Sequence, residues 1–439
     1  MIRLVLFIVV FVLAACSDPT PVSPHPAGKA NCVLCEFLGD DKYTIADEQD
    51  AHESPDSTSV TDDDDSTPTE EDDGTPTEED DSTPTEEDDG TANCALCEFL
   101  SEDQYSPDDA LFADSNLERV VRQVLGRQRV GLTPEHVVSL TSISAIDKGI
   151  HSLAGLEHCV GLRYLSLGGN QIVDLTPLAQ LTNLTKLDLF GNNIRDLTPL
   201  NQLTNLTELN LGDNKIYYLT PLASLTNLET LSLSTNKIVD LTPLAQLTNL
   251  TKLDLLGNNI RDLTPLNQLT NLTELNLGDN KIGDLTPLNP LTNLTKLNLF
   301  GNHVADLTSL NPLTNLTELR LDSNRIIDLT PLAQLINLKE LSLGFNQITD
   351  ITPLNPLIKL TGLVLRSNQI TDITPIAHLK NLQYLYLYNN QIEDLAPLLA
   401  NTDLGSNGCI ITLNGNPLSE QVRNEHIPTL RAKGFHVTY

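Results

Sequence analysis

The chain has 439 residues, of which none is Trp, 4% are aromatic and 19% are charged. That length exceeds one ordinary hydrophobic core but suits a repeat array, and the scarcity of aromatic residues argues against an aromatic-lined enzyme pocket. The formal net charge of -33 is concentrated at one end: residues 1–114 hold 31 Asp/Glu against 3 Lys/Arg, and residues 115–439 hold 28 against 23. An excess of that sign argues against nucleic acid as a partner, because phosphate binding needs Lys and Arg.

Residues 1–15, MIRLVLFIVVFVLAA, place one Arg before a short apolar run and read as a signal peptide. Leu13-Ala14-Ala15-Cys16 resembles the bacterial lipobox. The resemblance implies cleavage before Cys16, lipidation of that residue and attachment to the cell envelope, at an outer membrane or the cell surface. Residues 16–109 have no helical or strand periodicity, and an eight-residue unit close to TPTEEDDG is written three times between Thr67 and Gly90. Such a composition cannot bury enough apolar surface to offset chain entropy, so a disordered acidic tether is expected. Asp62-Asp63-Asp64-Asp65 lacks the Gly and spaced ligands of a calcium loop and reads as a solvated spacer.

Two similar modules, residues 29–43 and 91–105, carry Cys32/Cys35 and Cys94/Cys97 as Cys-x-x-Cys pairs. Their separation of 58 residues is far from ordinary zinc spacing, and the compartment is expected to be oxidising. Disulfides within or between the pairs are the preferred reading; a four-Cys metal site and reactive or partner-linked thiols are the alternatives.

Residues 110–161 read as a helical cap followed by a degenerate repeat. In DSNLERVVRQVLG, Leu117, Val120, Val121, Val124 and Leu125 share one helical face, with Asp114 or Ser115 as N-cap and Gly126 as the stop. Thr133 and Pro134 mark a second helix start. From Leu140 to Gly161 a unit repeats imperfectly, with Lys148 where later units have Asn.

Residues 162–403 hold eleven repeats, because Asn recurs at every twenty-second position from Asn170 to Asn390. In one unit, Leu187 and Leu189 alternate with polar neighbours, which predicts a short strand with Leu inward. Asn192 would turn the chain and hydrogen-bond the backbone. Ile194, Leu197, Leu200 and Leu203 supply more core, and Thr198 and Pro199 read as N-cap and first residue of a short helical or 3₁₀ turn. Residues 173–216 and 239–282 are identical except for Phe190 against Leu256. Residues 404–439 read as a second cap: CIITLNGNP restores the pattern around Ile411, Leu413 and Asn416, four residues late, and helical turns interrupted by Pro428 come after it.

These units resemble the 22-residue leucine-rich repeats of internalin-like bacterial surface proteins over roughly residues 110–439. The resemblance implies an α/β solenoid: a curved right-handed horseshoe, a parallel sheet on the concave face, and short helical or 3₁₀ turns on the convex side.

No nucleophile elbow, Gly-rich phosphate loop or His-x-x-x-His pair is present, so no enzyme activity, cofactor or metal is expected. The concave strands are the expected binding surface. Most outward positions are small or polar, but Tyr384, Tyr386 and Tyr388 cluster near Arg366, Phe345 and Arg320. Tyr and Arg on a rigid sheet are typical of binding hot spots; the alternative is that the Tyr residues merely cover the core near a cap. Lys186, Glu208, Lys252, Glu274, Lys296 and Glu318 alternate in sign at equivalent positions, interrupted by Thr230, and read as structural pairs. Asn-Leu-Thr at Asn183, Asn205, Asn249, Asn271, Asn293 and Asn315 matches a glycosylation sequon but reads as repeat grammar. Cys159 and Cys409 lie too far apart to pair and are expected to be buried thiols.

The function expected from the sequence is a monomeric, non-enzymatic lipoprotein displayed outside the cytoplasm, binding a protein or cell-surface ligand. The alternatives are a structural envelope spacer and metal binding by the tether.

Overall fold

A single 22-residue unit cannot hide its Leu face, and stacking is the only way to do so. The computed structural model describes residues 110–127, 131–401 and 408–439, so Cys16, Cys32, Cys35, Cys94 and Cys97 lie outside the described residues. Fourteen strands, β1 (Ser142–Ser144) to β14 (His436–Thr438), form one parallel sheet in chain order among the described residues. Each strand is three residues long with its central side chain inward, as in β3 (Lys186–Asp188) and β4 (Glu208–Asn210), where Leu187 is in register with Leu209. In one repeat Leu184, Leu187, Leu189, Ile194, Leu197, Leu200 and Leu203 are all at most 2% exposed. Each such side chain contributes about 1.5–3 kcal/mol on burial.

The ladder Asn is fully satisfied. Asn214 donates to the carbonyls of Leu211, Gly212 and, one repeat back, Leu189, and its Oδ1 accepts from the Ile194 N–H at 3.0 Å. One buried amide thus ties its own turn to the repeat before it. The residue preceding the ladder Asn has positive φ in every repeat. Gly fills it at 191 and 257, but Asp213, Thr235 and Phe345 hold φ of 49°, 53° and 54° there.

On the opposite flank, Asn183, Asn205, Asn249, Asn271, Asn293 and Asn315 each donate through Nδ2 to a carbonyl 23 residues earlier, which gives the Asn-Leu-Thr motif a structural role. Where this column has Lys359 instead, its Nζ donates to Asn337 Oδ1 at 2.7 Å.

The sequence misassigns the turn cap. Thr198 is not the N-cap but the first residue of the 3₁₀ turn Thr198–Leu200. The Asp196 carboxylate does the capping, accepting from Thr198 N at 2.8 Å and Oγ1 at 2.6 Å. The same column repeats at Asp174, Asp240, Asp262, Asp284, Asp306, Asp328, Asp350, Asp372 and Asp394. Its one interruption between 174 and 394 is Tyr218.

At the N-terminal end, helix α1 (Ser115–Leu125) is capped by Asp114 and stopped by Gly126 at φ 66°. Leu117, Val120 and Val121 are buried and Leu125 packs partly buried against the core, but Val124 is 48% exposed. A second, one-turn helix, Pro134–Val137, starts after Thr133. At the C-terminal end, β13 (Ile410–Thr412) pairs with β12 (Tyr384–Tyr386), Tyr384 opposite Ile410, which is the four-residue delay read from the sequence. The chain is helical on both sides of Pro428: a π turn, Val422–His426, runs directly into Ile427–Ala432, so the regular helix is broken just before the Pro, as the sequence reading has it. The strand β14, absent from the sequence reading, places Val437 inward against the end of the core.

Candidate functional site

Three outward columns run along the concave face. In the first, Lys186–Glu208, Lys252–Glu274 and Lys296–Glu318 pair across neighbouring strands at 2.7, 3.2 and 3.8 Å. Exposed pairs of this kind contribute only about 0–1 kcal/mol each, and within this column their charges cancel in pairs. The pattern ends at β10 (Glu340–Ser342). The next residues in the column are Gly362 of β11 (Gly362–Val364) and Tyr384 of β12, not Lys. The Tyr384 phenol lies across Gly362 and donates to Glu340 Oε2, while Thr361 Oγ1 donates to Glu340 Oε1 at 2.8 Å. A Cβ at Gly362 would collide with both the Tyr384 ring and the Glu340 carboxylate. Burial, then Glu340, pushes the Tyr384 phenol well above its ordinary value.

The second column holds Arg320 of β9 (Glu318–Arg320), Ser342, Val364 and Tyr386. The Tyr384 and Tyr386 ring centroids are 5.3 Å apart. Arg320 is exposed, and its charge acts on the Tyr384 phenol.

The third column runs Asp322, Gly344, Arg366, Tyr388. Arg366 Nη1 donates to Tyr388 Oη at 2.6 Å, and Nη2 is 3.9 Å from Asp322 Oδ1. The guanidinium lies 4.8 Å from the Phe345 centroid and 5.7 Å from that of Tyr388. A Cβ at Gly344 would stand 2.8 Å from both Arg366 Cγ and Asp322 Oδ1, so this Gly makes the bed on which Arg366 lies. Asp322 is 5% exposed and accepts from the Gly344 N–H at 3.2 Å; burial raises its carboxyl even though Arg366 pulls the other way.

The structure therefore brings Tyr384, Tyr386, Tyr388, Arg366 and Phe345 into one cluster, with Arg320 beside it. Sequence reasoning missed Glu340, Asp322, Gly344 and Gly362. The signal was present: Gly at an outward strand position, flanked one repeat away by a long side chain, marks a surface over which that side chain can lie flat. Cys159 and Cys409 are both buried and free, and burial pushes each thiol up to about 12.

The cluster is a set of aromatic rings around Arg366, whose charge is met by Asp322, on an ordered sheet. The fold around it, a sequential parallel sheet with an Asn ladder, is a leucine-rich-repeat solenoid. The chain belongs to the leucine-rich-repeat family, as an internalin-like bacterial member. The family model for "Leucine Rich repeats (2 copies)" matches it in nine stretches, from 160–202 to 358–400. An internalin (inlF) from Listeria monocytogenes is 35% identical with a TM-score of 0.71, over 75% of this chain and 96% of that one. A leucine-rich-repeat protein from Leptospira interrogans is 28% identical with a TM-score of 0.61, over 70% and 85%. A plant peptide hormone receptor, RGFR1 in complex with RGF2, shares the fold at 21% identity, with a TM-score of 0.52 over 64% and 52%. Among curated proteins none matches the chain.

Proposed function

We propose that the chain is a protein-binding leucine-rich-repeat lipoprotein displayed outside the cytoplasm, held to the envelope through Cys16, which takes a protein or cell-surface ligand on the C-terminal part of its concave sheet. One observation carries this reading. Arg366 is held between Phe345 and Tyr388 and tied to Asp322, on strands that are already ordered. A ligand meeting this platform would order few side chains on binding, which lowers the entropic cost. The likeness to an internalin supports display outside the cell.

The test is proximity labelling on intact cells, comparing the wild type with Tyr384→Ser/Tyr386→Ser/Tyr388→Ser. Loss of a reproducible labelled partner, with the fold intact, supports the site. Unchanged labelling would move the site elsewhere, and no specific partner in either case would make the array an envelope spacer. Cys16→Ala is expected to release the chain from the membrane fraction; retention there would remove the anchor from this reading.

A further inference from the structure

The flank just after the ladder Asn carries its own charge pattern. The concave Lys residues pair with Glu, but the flank cations have neutral hydrogen-bond partners. Lys215 donates to Asn193 Oδ1, Lys281 to Asn259 Oδ1 at 2.8 Å and Lys237 to Tyr217 Oη at 3.0 Å. Behind this row runs the capping Asp column, which offsets it repeat by repeat. The offset fails at one place. Tyr218 replaces the Asp, and no carboxylate there can cap the turn Thr220–Ser224. Its ring is 80% exposed, and Tyr217 beside it is 45% exposed, with centroids 6.4 Å apart. Lys237 Nζ sits 5.2 Å from the Tyr217 centroid, and the Arg195 charge acts on the same phenol. A paired exposed aromatic surface rimmed by cations marks an interaction site.

The chain contains its own control. The duplicated block gives residues 261 and 281 the same Arg and Lys as 195 and 215, but Gly283-Asp284 then stands in place of Tyr217-Tyr218. Two flanks with the same preceding cations thus differ in whether they present aromatic rings.

We propose that Arg195, Lys215, Tyr217, Tyr218 and Lys237 form a second binding site, for an anionic polysaccharide lying along the axis of the repeats. Three features select that ligand. Adjacent repeats are bonded backbone to backbone in this row, Lys215 N to Ile194 O at 2.9 Å and Lys237 N to Ile216 O at 3.0 Å, so its pitch is close to the strand spacing of about 4.8 Å. Pyranose rings joined in a chain advance by about that step and offer C–H faces to Tyr, whereas an extended acidic peptide repeats its same-face side chains every ~6.8 Å. A flat anionic bilayer would also meet Asp196 and Asp240, which stand one repeat to either side of Tyr218 in the same column, whereas a narrow polymer can follow the neighbouring Arg195–Tyr217 and Lys215–Lys237 columns beside them.

The experiment is calorimetric titration of the full chain with a heparin-derived octasaccharide at two salt concentrations. Binding that weakens with salt is expected. Tyr217→Gly/Tyr218→Asp, which copies the second block, is expected to weaken it roughly ten-fold, the equivalent of two lost stacking rings, without lowering the unfolding midpoint. The reverse graft, Gly283→Tyr/Asp284→Tyr, is expected to raise the stoichiometry. The concave triple Ser variant is expected to bind the octasaccharide as the wild type does, which separates this site from the one proposed above. No binding, binding indifferent to both flank variants, or tighter binding to polyglutamate or to phosphatidylserine vesicles would overturn the proposal.

Discussion

The Arg366 guanidinium rests 4.8 Å from the ring centroid of Phe345, and Phe345 reaches that position only with its backbone at φ 54°. Other repeats fill this site with Gly, Asp, Ser, Asn or Thr. A bulky side chain in the left-handed region costs roughly 1–2 kcal/mol, and stacking on Arg returns about 0.5–1 kcal/mol. Phe345→Gly is therefore expected to leave the urea midpoint unchanged or slightly raised while abolishing partner labelling. Thr235→Gly, at φ 53° with no such stacking, is expected to gain about 1 kcal/mol. A destabilised Thr235→Gly would show that the backbone there is not strained.

Tyr384 makes the C-terminal end sensitive to alkali. Its folded phenol is raised by burial and by Glu340. The neutral form is therefore favoured in the fold. The stabilisation is complete below the unfolded value near pH 10 and is lost as pH climbs towards the higher folded value. Unfolding midpoints measured from pH 8 to 11 are expected to fall above pH 10 for the wild type, and to fall less for Tyr384→Phe. Parallel curves for the two proteins would contradict the Tyr384–Glu340 bond.

The two Asn columns differ in what they hold. Asn258 is 7% exposed and bonded to the carbonyls of Leu233, Leu255 and Leu256 and to the Ile238 N–H. Asn258→Ala leaves buried backbone groups without partners, and a loss on the order of 3 kcal/mol is expected. Asn249 makes one exposed bond, to Thr226 O at 2.9 Å, so Asn249→Ala is expected to lose about 1 kcal/mol or less. Equal losses in denaturant titration would argue against the ladder as the main polar tie.

Much of this was legible because the repeat step forces the same environment on every copy. The inward Leu, the ladder Asn and the β12-to-β13 delay could each be placed from spacing alone. Capping was misread because Thr and Asp both cap turns, and only the ψ of Leu197, near zero, puts Thr198 inside the turn. The cluster was legible as a composition of Tyr and Arg, but its wiring was not. That Tyr384 reaches past Gly362 to Glu340 depends on a side chain lying down along the sheet, which no periodicity encodes. The strand β14 was missed because it carries none of the repeat's Leu spacing and is held by the cap.

The thiols give a direct probe of the core. Cys159 and Cys409 are 0% exposed, and their pKa values of about 12 leave almost no thiolate at neutral pH. Iodoacetamide at pH 8 followed by peptide mass mapping is expected to label both only after denaturation. Labelling of either in the native chain would mean that a cap opens.

The duplicated block has a genetic consequence. The segment between its copies, residues 217–238, carries Tyr217 and Tyr218. Unequal crossing-over between the coding stretches for the copies removes that segment in one product and doubles it in the other, in steps of three whole repeats. The new junctions present nearly the same side chains to their neighbours as the old ones, because within the duplicated block the hydrogen bonds between repeats reach only about one repeat along the chain. A population of such genes can thus lose or multiply the flank tyrosines in one event while leaving Arg366 and Tyr384 untouched.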